Sequence, residues 1–353
     1  MKPSSATCTA QHGEWLPWRD RWLQVPPQPM MRGRSGIHRT EYGSGTNFSP
    51  GRGEGGGIPR LVSDELVTGE LAVDGLARSF AVRPPRERNA PLVLVLHGNH
   101  SDSARKYTRP IMYDWTSFAA HADEWGIAVA YPDGHGGCWA DGRGVTAADE
   151  AGVDDVSFLH AVIDWCADQF GTAPDRTLVA GISNGAFMSH RFALEAADRV
   201  PVFAAVAGGF PAALLDMRPT HAVSAMLING DADPIQPITG GHSRRHGVNG
   251  EPRGRTLGLI ETARHWQALD RCWHDGGTIT TEHSGRHTMT GGVGGTQVTA
   301  WTVFAGGHTW PGTPVPAEWA DSPGAAVTTE FDAAEQIYHF AHPLLIPAAG
   351  RKL

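Results

Sequence analysis

The chain has 353 residues, 41% of them apolar, and a formal net charge of -8. That length buries a sizeable core, while the apolar runs fall well short of the ~20 residues a membrane-spanning helix needs. The charge is uneven: residues 1–60 hold eight Lys/Arg against four Asp/Glu, which leaves -12 on the rest, and an acidic body does not fit a nucleic-acid binder.

Residues 1–62 read as a poorly ordered arm. Trp15, Trp18 and Trp22 stand among Arg and Pro, and a Gly-rich tract from Gly51 to Gly57 leaves almost no side chain to bury. No Gly-Lys-Ser/Thr follows the glycines, so the tract is not a phosphate loop. Lys2 supplies a charge without an apolar stretch behind it, so no signal peptide is visible. The four cysteines, Cys8, Cys138, Cys166 and Cys272, form no C-x-x-C pair, which argues against a zinc site. If all four pair, three connectivities are open.

The body is expected as one domain over residues 63–349. Thr68 to Val73 and Arg78 to Val82 alternate in the strand manner around Asp74-Gly75, a hairpin signal. Pro91 to Leu96 is continuously apolar, as a strand buried on both faces requires. Trp115 to Trp125 reads as a helix, Ile127 to Tyr131 as a buried strand, and the Gly/Asp-rich stretch Pro132 to Glu150 as a loop. Val156, Leu159, Ile163, Cys166 and Phe170 recur at helical steps that Gly171 stops. Asp154 and Asp155 stand in its first turn, where carboxylates favour the helix dipole.

An apolar run, Thr177 to Ile182, leads into Gly181-Ile182-Ser183-Asn184-Gly185, and a helical pattern, Ala186 to Ala196, follows. A Gly-x-Ser-x-Gly between a strand and a helix is the pattern of a nucleophile elbow. Further strands read at Phe203–Ala207, Val223–Asn229 and Gln297–Phe304, and helices at Leu257–Leu269 and Thr329–Phe340. Alternating strands and helices predict an α/β fold: a mostly parallel central sheet with helices on both faces. The connection from Ala207 to Val223 is too short for a large lid domain.

A serine hydroxyl needs a base, and the base an orienting acid. Both are sought after the serine, at strand ends. Asn229-Gly230-Asp231-Ala232-Asp233-Pro234 offers two acids. Asp233 is chosen, and Asp231, nearer the strand, is read as a turn residue. Of 18 histidines, His308 follows the last strand and two glycines. The oxyanion hole is expected from the backbone N–H groups of Asn184 and Asn99. His97 reads as a loop-fixing hydrogen bonder, and Trp310 as a wall of the substrate pocket. No cofactor or metal is called for, since no H-E-x-x-H occurs.

The chain resembles the polyhydroxybutyrate depolymerase-like esterases, a branch of the α/β-hydrolases related to feruloyl and acetylxylan esterases. The resemblance is carried by Leu96-His97-Gly98, by Cys138-Trp139 with Val153-Asp154-Asp155-Val156, by Gly181 to Gly185, by Ala232-Asp233-Pro234 and by Gly306-Gly307-His308-Thr309-Trp310-Pro311-Gly312. These span about residues 65–345. The resemblance implies an α/β-hydrolase fold and a serine carboxylic-ester hydrolase whose partner is an ester substrate, a hydroxyalkanoate or plant-wall ester. It also implies export, against which the missing signal peptide makes a cytoplasmic location the alternative. The chain departs from the family where Asn229-Gly230-Asp231 replaces the more usual His-Gly-Thr. An acyltransferase or a catalytically silent binding module on the same fold are the competing readings. Nothing in the sequence specifies an oligomeric state.

Overall fold

The computed structural model of the protein describes residues 60–63, 66–100, 110–245, 252–315 and 319–346. The expected arm, residues 1–62, lies outside these except for its end, which opens a strand, β1 (Arg60–Ser63). β1 pairs antiparallel with β2 (Leu66–Val73), so the sheet begins before Thr68. β2 and β3 (Leu76–Arg83) form the expected hairpin. Asp74 and Gly75, at φ 49° and 78°, supply the left-handed pair that a two-residue hairpin loop requires.

The expected buried strands follow as β4 (Leu92–Leu96), β5 (Ala128–Pro132), β6 (Thr177–Ile182), β7 (Val202–Val206) and β8 (Ser224–Gly230). A small antiparallel pair, β9 (Gly240–His242) with β10 (Arg255–Leu257), stands apart from the main sheet. Past it come β11 (His274–Thr280), β12 (Ser284–Thr290) and β13 (Val298–Val303). The eleven-stranded main sheet has the order β1-β2-β3-β5-β4-β6-β7-β8-β13-β12-β11. Its centre, from β5 to β13, runs parallel, with antiparallel strands at both ends. The exchange of β4 and β5 in the order, with the elbow on the next strand, is the topology of the α/β-hydrolase fold.

The helices are α1 (Ile111–Trp115), α2 (Phe118–Trp125), α3 (Ala147–Glu150), α4 (Asp155–Phe170), α5 (Asn184–Glu195), α6 (Leu259–Asp270) and α7 (Ala333–Leu345). Alternate residues of the central strands face opposite layers. Val202, Ala204 and Val206 of β7 join the core that α2 and α7 cover. Phe203 between them packs on His190 of α5 and Trp266 of α6. Helices on both faces are therefore as expected.

Three local readings change. The helix expected over Trp115–Trp125 is two: Thr116 is extended (φ -132°, ψ 149°), and its hydroxyl donates to the Met112 carbonyl at 2.7 Å. The loop Pro132–Glu150 contains α3, whose N-cap Thr146 and Asp149 bond each other's backbone N–H reciprocally. Of the two carboxylates read into the first turn of α4, Asp154 is the N-cap, accepting from Ser157 N at 2.9 Å. Asp155 stands in the first turn as read, but it is fully buried, paired with Arg78 of β3 at 2.5 Å and accepting from Ala140 N at 2.7 Å. Cys138, Cys166 and Cys272 are buried free thiols, and Cys8 lies outside the described residues.

Candidate active site

The elbow is built by steric exclusion. A Cβ on Gly181 would stand 2.3 Å from the Gly185 carbonyl oxygen, and one on Gly185 would stand 2.4 Å from that of Leu96. The first turn of α5 thus crosses directly against β6 and β4. Ser183 takes the strained conformation that this crossing forces, φ 57° and ψ -117°. Its N–H donates to the Val206 carbonyl at 2.9 Å, which fixes the turn to β7.

The carboxyl end of β8 supplies Asp233. Its side chain is fully buried. Oδ1 accepts from the N–H groups of Ile235 (2.7 Å) and Gln236 (2.9 Å). Oδ2 accepts from Nδ1 of His308 at 2.6 Å. That pairing leaves Nε2 as the free imidazole nitrogen. Asp231 turns elsewhere: its Oδ1 accepts from Ala305 N at 2.7 Å and so ties the ends of β8 and β13 together. The structure therefore brings Asp233, not Asp231, to His308.

His308 is carried by a loop that doubles back past the sheet. A Cβ on Gly307 would lie 2.1 Å from the Gly324 carbonyl oxygen. Gly307 N donates to Ala326 O and His308 N to Gly324 O, so the segment around Gly324 straps the histidine in place. Ser183 and His308 line one cavity of about 410 Å³ with Gly98, Asn99 and Asn184. Gly98 approaches the serine so closely that a Cβ there would be 3.3 Å from Ser183 Cβ.

Asn184 does more than follow the serine. Its Oδ1 accepts from Trp139 N at 2.7 Å, and its Nδ2 donates to Asp141 Oδ2 at 2.6 Å. The loop Cys138–Arg143 is thereby clasped to the start of α5. His97 is the loop-fixer expected: Nδ1 donates to Gly98 O and Nε2 accepts from Gly134 N, each at 2.8 Å. Burial, with His100 beside it, pushes its imidazole down to about 3, so it stays neutral.

Trp310 is a correction. It is 2% exposed and belongs to the core, edge-on to Phe118, rather than to the cavity lining. The strap around Gly324 covers the next residue, Thr309, whose hydroxyl donates to Ala326 O, and the tryptophan beyond it turns inward. The aromatic walls are instead Trp115, Phe187 and Trp319. Three arginines were also missed: Arg143, Arg245 and Arg253 line the cavity. Their only sequence signal was the arginine content of the long connections Pro132–Glu150 and Gly240–Arg255. Among the described residues no cluster of His, Cys, Asp and Glu is arranged to hold a metal ion.

No protein-family model matches the chain. It is 31% identical over 273 residues to "Putative esterase NocK" of Nocardia uniformis subsp. tsuyamanensis, an alignment covering 72% of this chain and 76% of that protein. It is 26% identical over 132 residues to an acetylxylan esterase of Coprinopsis cinerea, covering 36% of this chain and 34% of that one. Among solved structures, the acetyl xylan esterase of Aspergillus awamori matches with a TM-score of 0.45 and 14% identity, over 73% of this chain and 99% of that one. The alignment with the Nocardia protein carries the assignment, and the topology agrees with it: the chain belongs to the esterase family of α/β-hydrolases.

Proposed function

We propose that the protein is a serine carboxylic-ester hydrolase with Ser183 as nucleophile, His308 as base and Asp233 as orienting acid. The 2.6 Å bond from His308 Nδ1 to a fully buried Asp233, beside a strained Ser183 in the same cavity, carries this reading. Ser183 Oγ attacks the ester carbonyl carbon while His308 Nε2 takes its proton. The oxyanion is met by the backbone N–H groups of Asn184 and Asn99. The C–O bond breaks, and His308 returns the proton to the leaving alkoxide. Water, activated by the same imidazole, then releases the acid. Removing one such oxyanion donor typically costs about 10²–10³ in turnover.

The substrates are hydroxyalkanoate esters or short-acyl and aryl esters such as acetyl and feruloyl groups. Two features support this range. The cavity of about 410 Å³ is of small-molecule size, and its Trp115, Phe187 and Trp319 offer ring faces to an aryl group. The connection between β7 and β8 holds only a single 3₁₀ turn, Ala212–Leu214, and no helical cap.

The test is labelling with a fluorophosphonate probe followed by an ester panel. Wild type should be labelled at Ser183, and Ser183→Ala should not. Hydrolysis should be fastest on short p-nitrophenyl esters. An unlabelled wild type, or a Ser183→Ala variant with most of the wild-type turnover, refutes the assignment.

A further inference from the structure

We propose that the ester taken by this site carries a second, anionic oxyacid group, a carboxylate in its simplest form, and that Arg245 and Arg253 hold it. This rests on the esterase reading and deepens it.

The cavity is basic inside an acidic protein. Residues 61–353 sum to -12. Yet the described lining contains Arg143, Arg245 and Arg253 and no Asp or Glu. The three arginines are not equivalent. Arg143 is spent: its Nε and Nη2 bond both oxygens of Asp141, which is itself fully buried behind the lining. Its guanidinium also lies over the Phe187 ring at 3.9 Å. It forms wall and carries no uncompensated charge.

Arg245 and Arg253 have no carboxylate partner among the described residues. The Nε of Arg253 is buried without a hydrogen-bond partner there. A buried donor left unsatisfied is costly unless something enters to accept from it. Arg245 is exposed and Arg253 half-buried. Both lie on the connection between β9 and β10, close to its ends, where His242 stands opposite Arg255. Arg245 N donates to Ser243 Oγ, and Ser243 Oγ and Arg244 N both bond Ile235 O. Ile235 is the residue whose N–H also bonds Asp233. The backbone at Arg245 is thus anchored to the same turn that positions the acid.

A guanidinium fork suits a carboxylate, and suits it best away from bulk water. Ile111, Met112, Trp115, Ile182 and Phe187 give the cavity an apolar part that suits a short carbon skeleton. A neutral glyceride matches only half of this lining. An ester that also bears a free acid matches both halves. The acid end of a hydroxyacyl oligomer is of that kind, as is an acylated aromatic acid.

The experiment uses the full chain and two matched pairs of esters. One pair is 4-acetoxybenzoate against its methyl ester, with the charge on the alcohol side. The other is mono-p-nitrophenyl adipate against its methyl ester, with the charge on the acyl side. At low salt, kcat/KM should favour the anionic member of at least one pair by about tenfold or more, the scale of one charge-assisted hydrogen bond. The ratio should shrink as salt rises and fall towards one in Arg245→Gln/Arg253→Gln. Reading the ratio within each variant removes any general loss of turnover. Ratios near one in both pairs, or a ratio unchanged in the double variant, overturn the proposal. Turnover of the neutral members reports on the esterase reading separately. If no ester is cleaved, calorimetric titration with adipate decides: binding by wild type that the double variant lacks supports the anion site, and equal or absent heats overturn it.

Discussion

Asp233→Asn separates charge from packing at the candidate site. The carboxylate takes three hydrogen bonds: two from the N–H groups of Ile235 and Gln236, and one from His308. In the variant the amide oxygen stays with the two backbone donors, since an NH₂ there would face them donor to donor. The NH₂ must then face His308 Nδ1. The imidazole answers by moving its proton to Nε2, where it can no longer accept one from Ser183. The same replacement in a serine protease costs about 10⁴ in kcat, equivalent to roughly 5 kcal/mol at about 1.36 kcal/mol per decade. Stability should change far less, by about 1–2 kcal/mol, because no hydrogen bond is lost and only charge assistance goes. The assay is kcat and KM on p-nitrophenyl acetate beside a thermal melt. KM should hold while kcat collapses. Asp231→Asn is the control: its amide oxygen still accepts from Ala305 N, so turnover should stay within about threefold of wild type. A Asp233→Asn variant within tenfold of wild type, or an Asp231→Asn variant hit harder, refutes the reasoning.

Ser183 sits at φ 57°, so Ser183→Gly should be more stable than Ser183→Ala by about 1 kcal/mol, read by denaturant melts of the two inactive proteins. Equal stabilities would mean the turn holds no strain. Asp270 ends α6 fully buried, its Oδ1 accepting from Val223 N and its Oδ2 unpartnered among the described residues, and burial raises its carboxyl to about 7. The folded state therefore keeps this proton where the unfolded chain has lost it. Stability falls as pH rises from about 4 to about 7, by up to roughly 4 kcal/mol. Asp270→Asn should remove that slope, and parallel curves for the two proteins at pH 5 and 8 would count against it. Arg78→Ala strips the partner from buried Asp155 and should cost about 3–5 kcal/mol. A melt within 1 °C of wild type would show that the pair is dispensable.

What was legible in the sequence is what short-range sterics encode. The central strands are apolar on both faces, and the elbow glycines are dictated by backbone contact, so both could be read locally. The pattern favours Asp233 over Asp231, and Asp233 is the carboxylate that meets His308. What was illegible depends on residues far apart in the chain. Asp155 looks like a helix-start carboxylate until Arg78, on another element, meets it. Trp310 looks like a pocket wall until the strap around Gly324 fixes where the histidine loop faces. β11 and β12 carry no local signal because every residue of β11 is exposed and the buried positions of β12, Ser284, Gly285 and His287, are polar or glycine, so neither strand shows an apolar face. The arginines of the cavity lie on connections with no periodicity at all.

The crossing of α5 over β6 and β4 has a consequence for how such chains change over generations. Gly181 and Gly185 touch no reacting atom. What forbids a side chain there is the carbonyl of Gly185 or Leu96 at 2.3–2.4 Å, and that prohibition acts on every molecule as it folds. On the proposed reading, the demand on Ser183, Asp233 and His308 would act only when an ester is turned over. The two demands can lapse separately. A descendant that lost His308 would still require both glycines, while its serine would be free to change. The two glycines are thus a record of how two backbones meet, while on the proposed reading the distant pair Asp233 and His308 would be the record of chemistry. A search for working enzymes on this fold should be keyed to the pair, and a search for the fold itself to the glycines.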